Sequence, residues 1–142
     1  METNMMDNAD RMLRAVICRP GENATVENID NSLASLQQLV EGYIEVIPLD
    51  PGIVAICNEE GSFRGKPCRI IREFGVNRAV VFGTFIIVAS DPTHAGFRSL
   101  SEEQTMEYSD RFHDAEFITK VNGRIHAVGY DASGESLFKA LS

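Results

Sequence analysis

Apolar residues along this chain fall into short runs separated by turn residues, and helical spacing occurs in only two places. Leu13 to Cys18 is apolar and ends at Arg19-Pro20-Gly21, a turn signal, after which Ala24 to Ile29 sets Val26 and Ile29 among polar neighbours. The pair predicts a hairpin. Tyr43 to Leu49 and Ile53 to Cys57 are β-branched and apolar on either side of Asp50-Pro51-Gly52, which predicts a second. Arg78 to Ser90 contains an almost continuous apolar stretch, the expected central strand, interrupted at Gly83 where a bulge or close backbone approach is expected. Ile118 to Val121 and Arg124 to Tyr130 flank Asn122-Gly123, a dipeptide that accepts positive φ at both central positions of a type I′ turn.

The two helical patterns carry start and stop signals. Asn28 to Ser32 supplies capping side chains, and Leu33, Leu36, Leu39 and Val40 recur at helical spacing until Gly42. Ser101-Glu102-Glu103-Gln104 is a capping box opening a helix to about Phe112, with Leu100 fixing the approach of the chain. Between Asn58 and Asn77, Gly61, Gly65, Gly75 and Pro67 interrupt any period. That stretch reads as a long loop carrying a short structured piece around Cys68 to Phe74. Residues 1–12 read as a tail or extra helix, and Leu137 to Leu141 as one helical turn at most. With no internal repeat or linker, the expectation is α+β: a single compact domain over 13–142, mainly antiparallel sheet with two principal helices.

A chain of 142 residues with 44% hydrophobic positions can build such a core without disulfide or metal. Its net charge of −8 opposes polymeric nucleic acid and anionic lipid as partners. No apolar run approaches the roughly 20 residues a membrane helix needs. Cys18, Cys57 and Cys68 have no C-x-x-C spacing, so neither a disulfide framework nor a zinc knuckle is expected; Cys18 and Cys57 read as reduced thiols in strands. The chain reads as cytoplasmic.

Signatures of catalysis are weak. Gly61 to Lys66 superficially resembles a phosphate loop, but it has three residues between its glycines instead of four, and Pro67 stands where a magnesium-binding hydroxyl belongs. His94, His113 and His126 have no partner at ligand spacing, and no nucleophile elbow occurs. No cofactor, metal or catalytic residue is expected. Charge is distributed more informatively. Arg64, Lys66, Arg69, Arg72 and Arg78 stand against the single acid Glu73, while Glu102, Glu103, Glu107, Asp110, Asp114 and Glu116 stand against Arg111. Such blocks are solvated, compensate each other within a fold or across a homodimer, or, in the sharper reading, the basic one forms an anion pocket. Asn58-Glu59-Glu60-Gly61, just before the basic stretch, is a polar turn or a set of acceptors for the polar part of a ligand.

Several pieces together resemble a known family. They are Pro20-Gly21, Ile29-Asp30-Asn31-Ser-Leu33, Leu36-Gln37-Gln-Leu39-Val40, Gly42-Tyr-Ile-Glu45-Val, Asn58-Glu-Glu-Gly61, Gly83-Thr-Phe85 and Phe97-Arg-Ser-Leu100-Ser-Glu-Glu-Gln104. The family consists of small uncharacterised proteins of bacteriophages, plasmids and conjugative elements, a domain of unknown function. The resemblance runs from about Ala15 to Phe112. Where the family pattern has Asn-Arg after a Pro in the central loop, this chain has Cys68-Arg69 after Pro67. The resemblance implies an accessory protein acting on the host in its bacterial cytoplasm, with counter-defence as the expected role. The charge map then gives the expected function: homo-oligomeric, non-enzymatic sequestration of an anionic, nucleotide-derived small molecule. Arg69, Arg72 and Arg78 would take phosphate, and Asn58 and Glu59 the polar remainder. The alternative is inhibition of a host protein through the acidic helix, and a third reading is a small nucleotide hydrolase with Glu59 or Glu60 as base.

Overall fold

A computed structural model describes residues 11–61, 65–91, 93 and 96–132. The expected tail or helix over residues 1–12 lies outside them except for its last two residues, as does the expected turn at Leu137 to Leu141. Among the described residues, ten strands and two helices follow in the order β1 (Met12–Cys18), β2 (Thr25–Asp30), α1 (Leu33–Val40), β3 (Ile44–Asp50), β4 (Ile53–Asn58), β5 (Pro67–Glu73), β6 (Val76–Phe82), β7 (Phe85–Ser90), β8 (Phe97–Arg98), α2 (Glu102–Arg111), β9 (Ala115–Val121) and β10 (Arg124–Tyr130). The architecture is α+β and mostly antiparallel, as expected.

The main sheet has the order β2-β1-β7-β4-β3, with β8 pairing β7, and both faces of its middle strands are covered. Alternate residues therefore serve different cores. Leu13, Ala15 and Ile17 of β1, Val54 and Ile56 of β4, and Ile86 and Val88 of β7 pack with Leu36 and Val40 of α1. Val16, Ile53, Ala55, Phe85 and Ile87 point the other way, into a second core built with Cys68, Ile71 and Val81 of the β5–β6 hairpin and with Tyr108 and Phe112 at α2. Burial on both faces explains why β7 reads as an unbroken apolar run rather than an alternating one. It also makes β7 the central strand.

Two expectations are corrected. The apolar stretch from Arg78 to Ser90 is two strands in two sheets: β6 pairs β5, and β7 pairs β1, β4 and β8. Gly83, at φ 77°, turns the chain between them while its N–H bonds the Lys66 carbonyl at 2.8 Å. In the stretch from Asn58 to Asn77 the short structured piece expected around Cys68 to Phe74 is strand β5, but it does not stand alone in a long loop: β6 begins in the same stretch, joined to β5 through Phe74 and Gly75 at φ 52° and 76°. Both helices are capped as their sequences require. The Ser32 hydroxyl accepts from Ser35 N–H at 3.2 Å, and at α2 Ser101 and Gln104 exchange both bonds of the capping box.

Candidate functional site

The residues singled out by sequence are distributed over separate clefts and one core. Asn58 ends β4 with its side chain turned to the C-terminus of α1, donating through Nδ2 to the Val40 and Glu41 carbonyls at 2.9 and 3.1 Å. Its Oδ1 accepts from Glu60 N–H at 2.7 Å. These bonds satisfy helix-end carbonyls that otherwise lack partners. Glu41, the C-cap, is left-handed at φ 61°, and Gly42 follows so close to Asn58 that a Cβ there would stand 2.6 Å from Nδ2. Glu59 extends past this anchor into a cleft of about 380 Å³ lined by Gln37, Glu41, Gly42, Tyr43, Asn58, Glu59 and Glu60. Among the described residues, three carboxylates and no cation line it. None of the three arginines borders it.

Arg69 is fully buried within β5. Its Nε donates to the Phe112 carbonyl at 3.1 Å, Nη1 to the Cys68 carbonyl at 3.0 Å and Nη2 to the Glu22 carbonyl at 2.7 Å. A guanidinium has five N–H donors and no acceptor, and here they tie the loop after β1, its own strand and the C-cap of α2 together. A cation at a helix C-terminus is further favoured by the helix dipole. Arg69 therefore has an architectural role, and its guanidinium does not face solvent. Around it, burial pushes the Cys18 and Cys68 thiols up to about 12. Cys57 is likewise raised by burial, to about 11. All three are free thiols, the state expected for Cys18 and Cys57.

Arg78 lies on a cleft of about 640 Å³ between the β3–β4 turn and the β5–β6 hairpin. Its Nη1 is 3.4 Å from Glu73, and its Nη2 donates to the Pro48 carbonyl on the edge strand β3 at 3.2 Å. Arg72 borders a third cleft of about 480 Å³, with Asp110, Arg111, His113, Asp114, Glu116 and Gly129. It donates to Glu116 Oε1 at 2.9 Å and Oε2 at 3.3 Å. The same carboxylate accepts from Ile70 N–H at 3.2 Å, linking β5 to β9. Arg111 donates to Asp50 at 2.9 Å and to the Arg72 carbonyl at 3.2 Å. The Tyr108 hydroxyl also donates to Asp50, and desolvation with that bond pushes the phenol well above its usual range.

The basic and acidic blocks thus meet at the partly exposed pair Arg72–Glu116. Among the five predicted residues only Asn58 and Glu59 share a cleft. The residue that sequence reasoning missed is Arg111, which stands beside Arg72; its only sequence signal is being the lone cation of the acidic block. On the outward side of α2, Glu102, Glu103 and Glu107 are exposed around Met106, itself 66% exposed, with Asp110 exposed where this face meets the Arg72–Arg111 cleft. None of the four makes an ion pair among the described residues.

The fold and its surfaces define a small α+β domain whose second helix presents an exposed acidic face. The chain belongs to the family described as a domain of unknown function, DUF3846, whose model matches residues 13–113. That span agrees with the stretch over which the sequence motifs lie. No curated protein and no solved structure matches the chain.

Proposed function

We propose that this chain is a binding protein carried by a mobile genetic element, and that it acts in the host by masking a basic surface of a host protein with α2. The observation that carries this reading is the outward face of α2, where Glu102, Glu103, Glu107 and Asp110 surround the exposed Met106 without cationic partners among the described residues. Glu103, Met106, Glu107 and Asp110 follow i, i+3, i+4, i+7 spacing, so they form one ridge. The opposite side, Thr105 and Tyr108, is buried and holds the helix rigidly. A fixed anionic ridge with an apolar centre suits a cationic groove, and complementary charge steers such encounters. Counter-defence by blocking a host factor is the role this supports. The test is co-purification with a host protein in low and high salt, using the parent and Glu102→Gln, Glu103→Gln, Glu107→Gln, Asp110→Asn combined. A partner released by salt and lost in the variant is expected; a partner retained by the variant refutes the reading.

A second reading keeps the anionic small molecule but moves it. Arg72 and Arg111, with side chains 44% and 35% exposed, stand with His113 on one wall of the 480 Å³ cleft. A nucleotide phosphate there would exchange for Glu116 on Arg72. Mass spectrometry of ligand released by denaturation, after incubation with nucleotides, distinguishes the two. Retention by the parent and loss in Arg72→Gln favours this reading, and an empty parent removes it.

A further inference from the structure

The β9–β10 hairpin begins after the family-matched residues 13–113. Phe117 and Val128 face each other across it at 64% and 65% exposure, and Val121 and Ile125 are also exposed. Two-stranded hairpins are marginal alone. Here β9 is braced by β5 through Glu116, whereas β10 pairs only with β9 among the described residues. The two-residue turn at Asn122-Gly123 makes Arg124 and Val121 a hydrogen-bonded pair, and the pairing alternates from there. Ile125, Ala127 and Gly129 therefore direct their N–H and C=O groups to the open edge. The hairpin also carries a charge gradient, with Lys120 and Arg124 at the tip and Asp114 and Asp131 at the root.

We propose that β10 is the docking edge for a second copy of this chain, paired antiparallel across a two-fold axis at Ala127. That operation sets Ile125 against Gly129, His126 against Val128 and Arg124 against Tyr130 of the second copy. It brings each cationic tip to the other copy's acidic root, and the gradient is self-complementary only in this antiparallel sense. Each Val128 gains cover between Phe117 and the second copy's His126. Arg124 comes beside the second copy's Tyr130 ring, a favourable cation–π placement. Edge pairing thereby closes the exposed strand of an appended hairpin.

The test is light-scattering mass of the full chain between about 1 and about 100 μM, with amide exchange by NMR at both ends of the range. The expected result is twice the chain mass at the upper end, with the Ile125, Ala127 and Gly129 amides slowing as the dimer fills. Ala127→Pro deletes an outward N–H without touching a hairpin bond and should leave a folded monomer. Should that variant misfold, Arg124→Glu supplies the check, with a dissociation constant raised at least about tenfold. A monomer at every concentration overturns the proposal. So does a dimer indifferent to both substitutions, or concentration-independent protection of the β10 edge in a monomer, which assigns that edge to another part of the same chain.

Discussion

Replacing Arg69 by Ala separates a structural arginine from one that waits for a ligand. Of the carbonyls Arg69 serves, those of Phe112 and Cys68 are reached by fully buried bonds, and that of Glu22 by a partly buried one. Leaving a buried acceptor unpaired costs about 1–3 kcal/mol, so two such groups account for roughly 2–6 kcal/mol. A cavity adds to this cost, and relief of the buried cation's desolvation subtracts from it. The expected net loss is about 3–5 kcal/mol, a large part of the 5–15 kcal/mol of a typical domain (~10 kcal/mol). Arg69→Met keeps most of the volume and should lose visibly less. The assay is urea unfolding followed by circular dichroism, comparing midpoints at constant slope. A change in Arg69→Ala within about 0.5 kcal/mol, the usual range for a surface substitution, would refute the architectural role.

Asn58→Ala should lower stability by about 1–2 kcal/mol by freeing the C-terminal carbonyls of α1, and Asn58→Asp should lower it further, since it removes the same donor and adds a fourth carboxylate to the cleft; thermal melts of the pair check the order. The raised thiols of Cys18, Cys57 and Cys68 hold their protons more tightly in the folded chain than in the unfolded one. Their contribution is complete below pH 9, the ordinary thiol value, and is lost as pH rises through about 11 and about 12. Urea midpoints should therefore fall on the alkaline side, and at pH 8 a thiol reagent should label the three cysteines slowly in the native chain and fully in urea; rapid native labelling contradicts their burial. Ser101→Ala removes half of the capping box and should cost about 1 kcal/mol, read as a lower melting temperature.

What could be read from the sequence was whatever local chemistry dictates. Hairpins whose turns carry Pro-Gly or Asn-Gly, and helices that open on Ser32 and Ser101, were visible because a turn or cap residue is selected by its own backbone. Of the β5–β6 hairpin only a short structured piece around Cys68 to Phe74 was, because the turn places Phe74, a bulky residue, at φ 52°. Its first strand also interrupts the apolar run with Arg69, whose burial depends on carbonyls from Glu22 and Phe112, 47 and 43 positions away. A charged residue in a strand pattern signals a loop until its partners are known. The site followed the same rule. Charge blocks are evident in sequence, but whether they face solvent or each other is decided by Arg72 meeting Glu116 across 44 positions. That pairing compensates one cation of the positive block and Glu73 lies beside another, Arg78, whereas the carboxylates on the outer face of α2 have no ion-pair partner among the described residues. A partner should accordingly be sought by its positive charge.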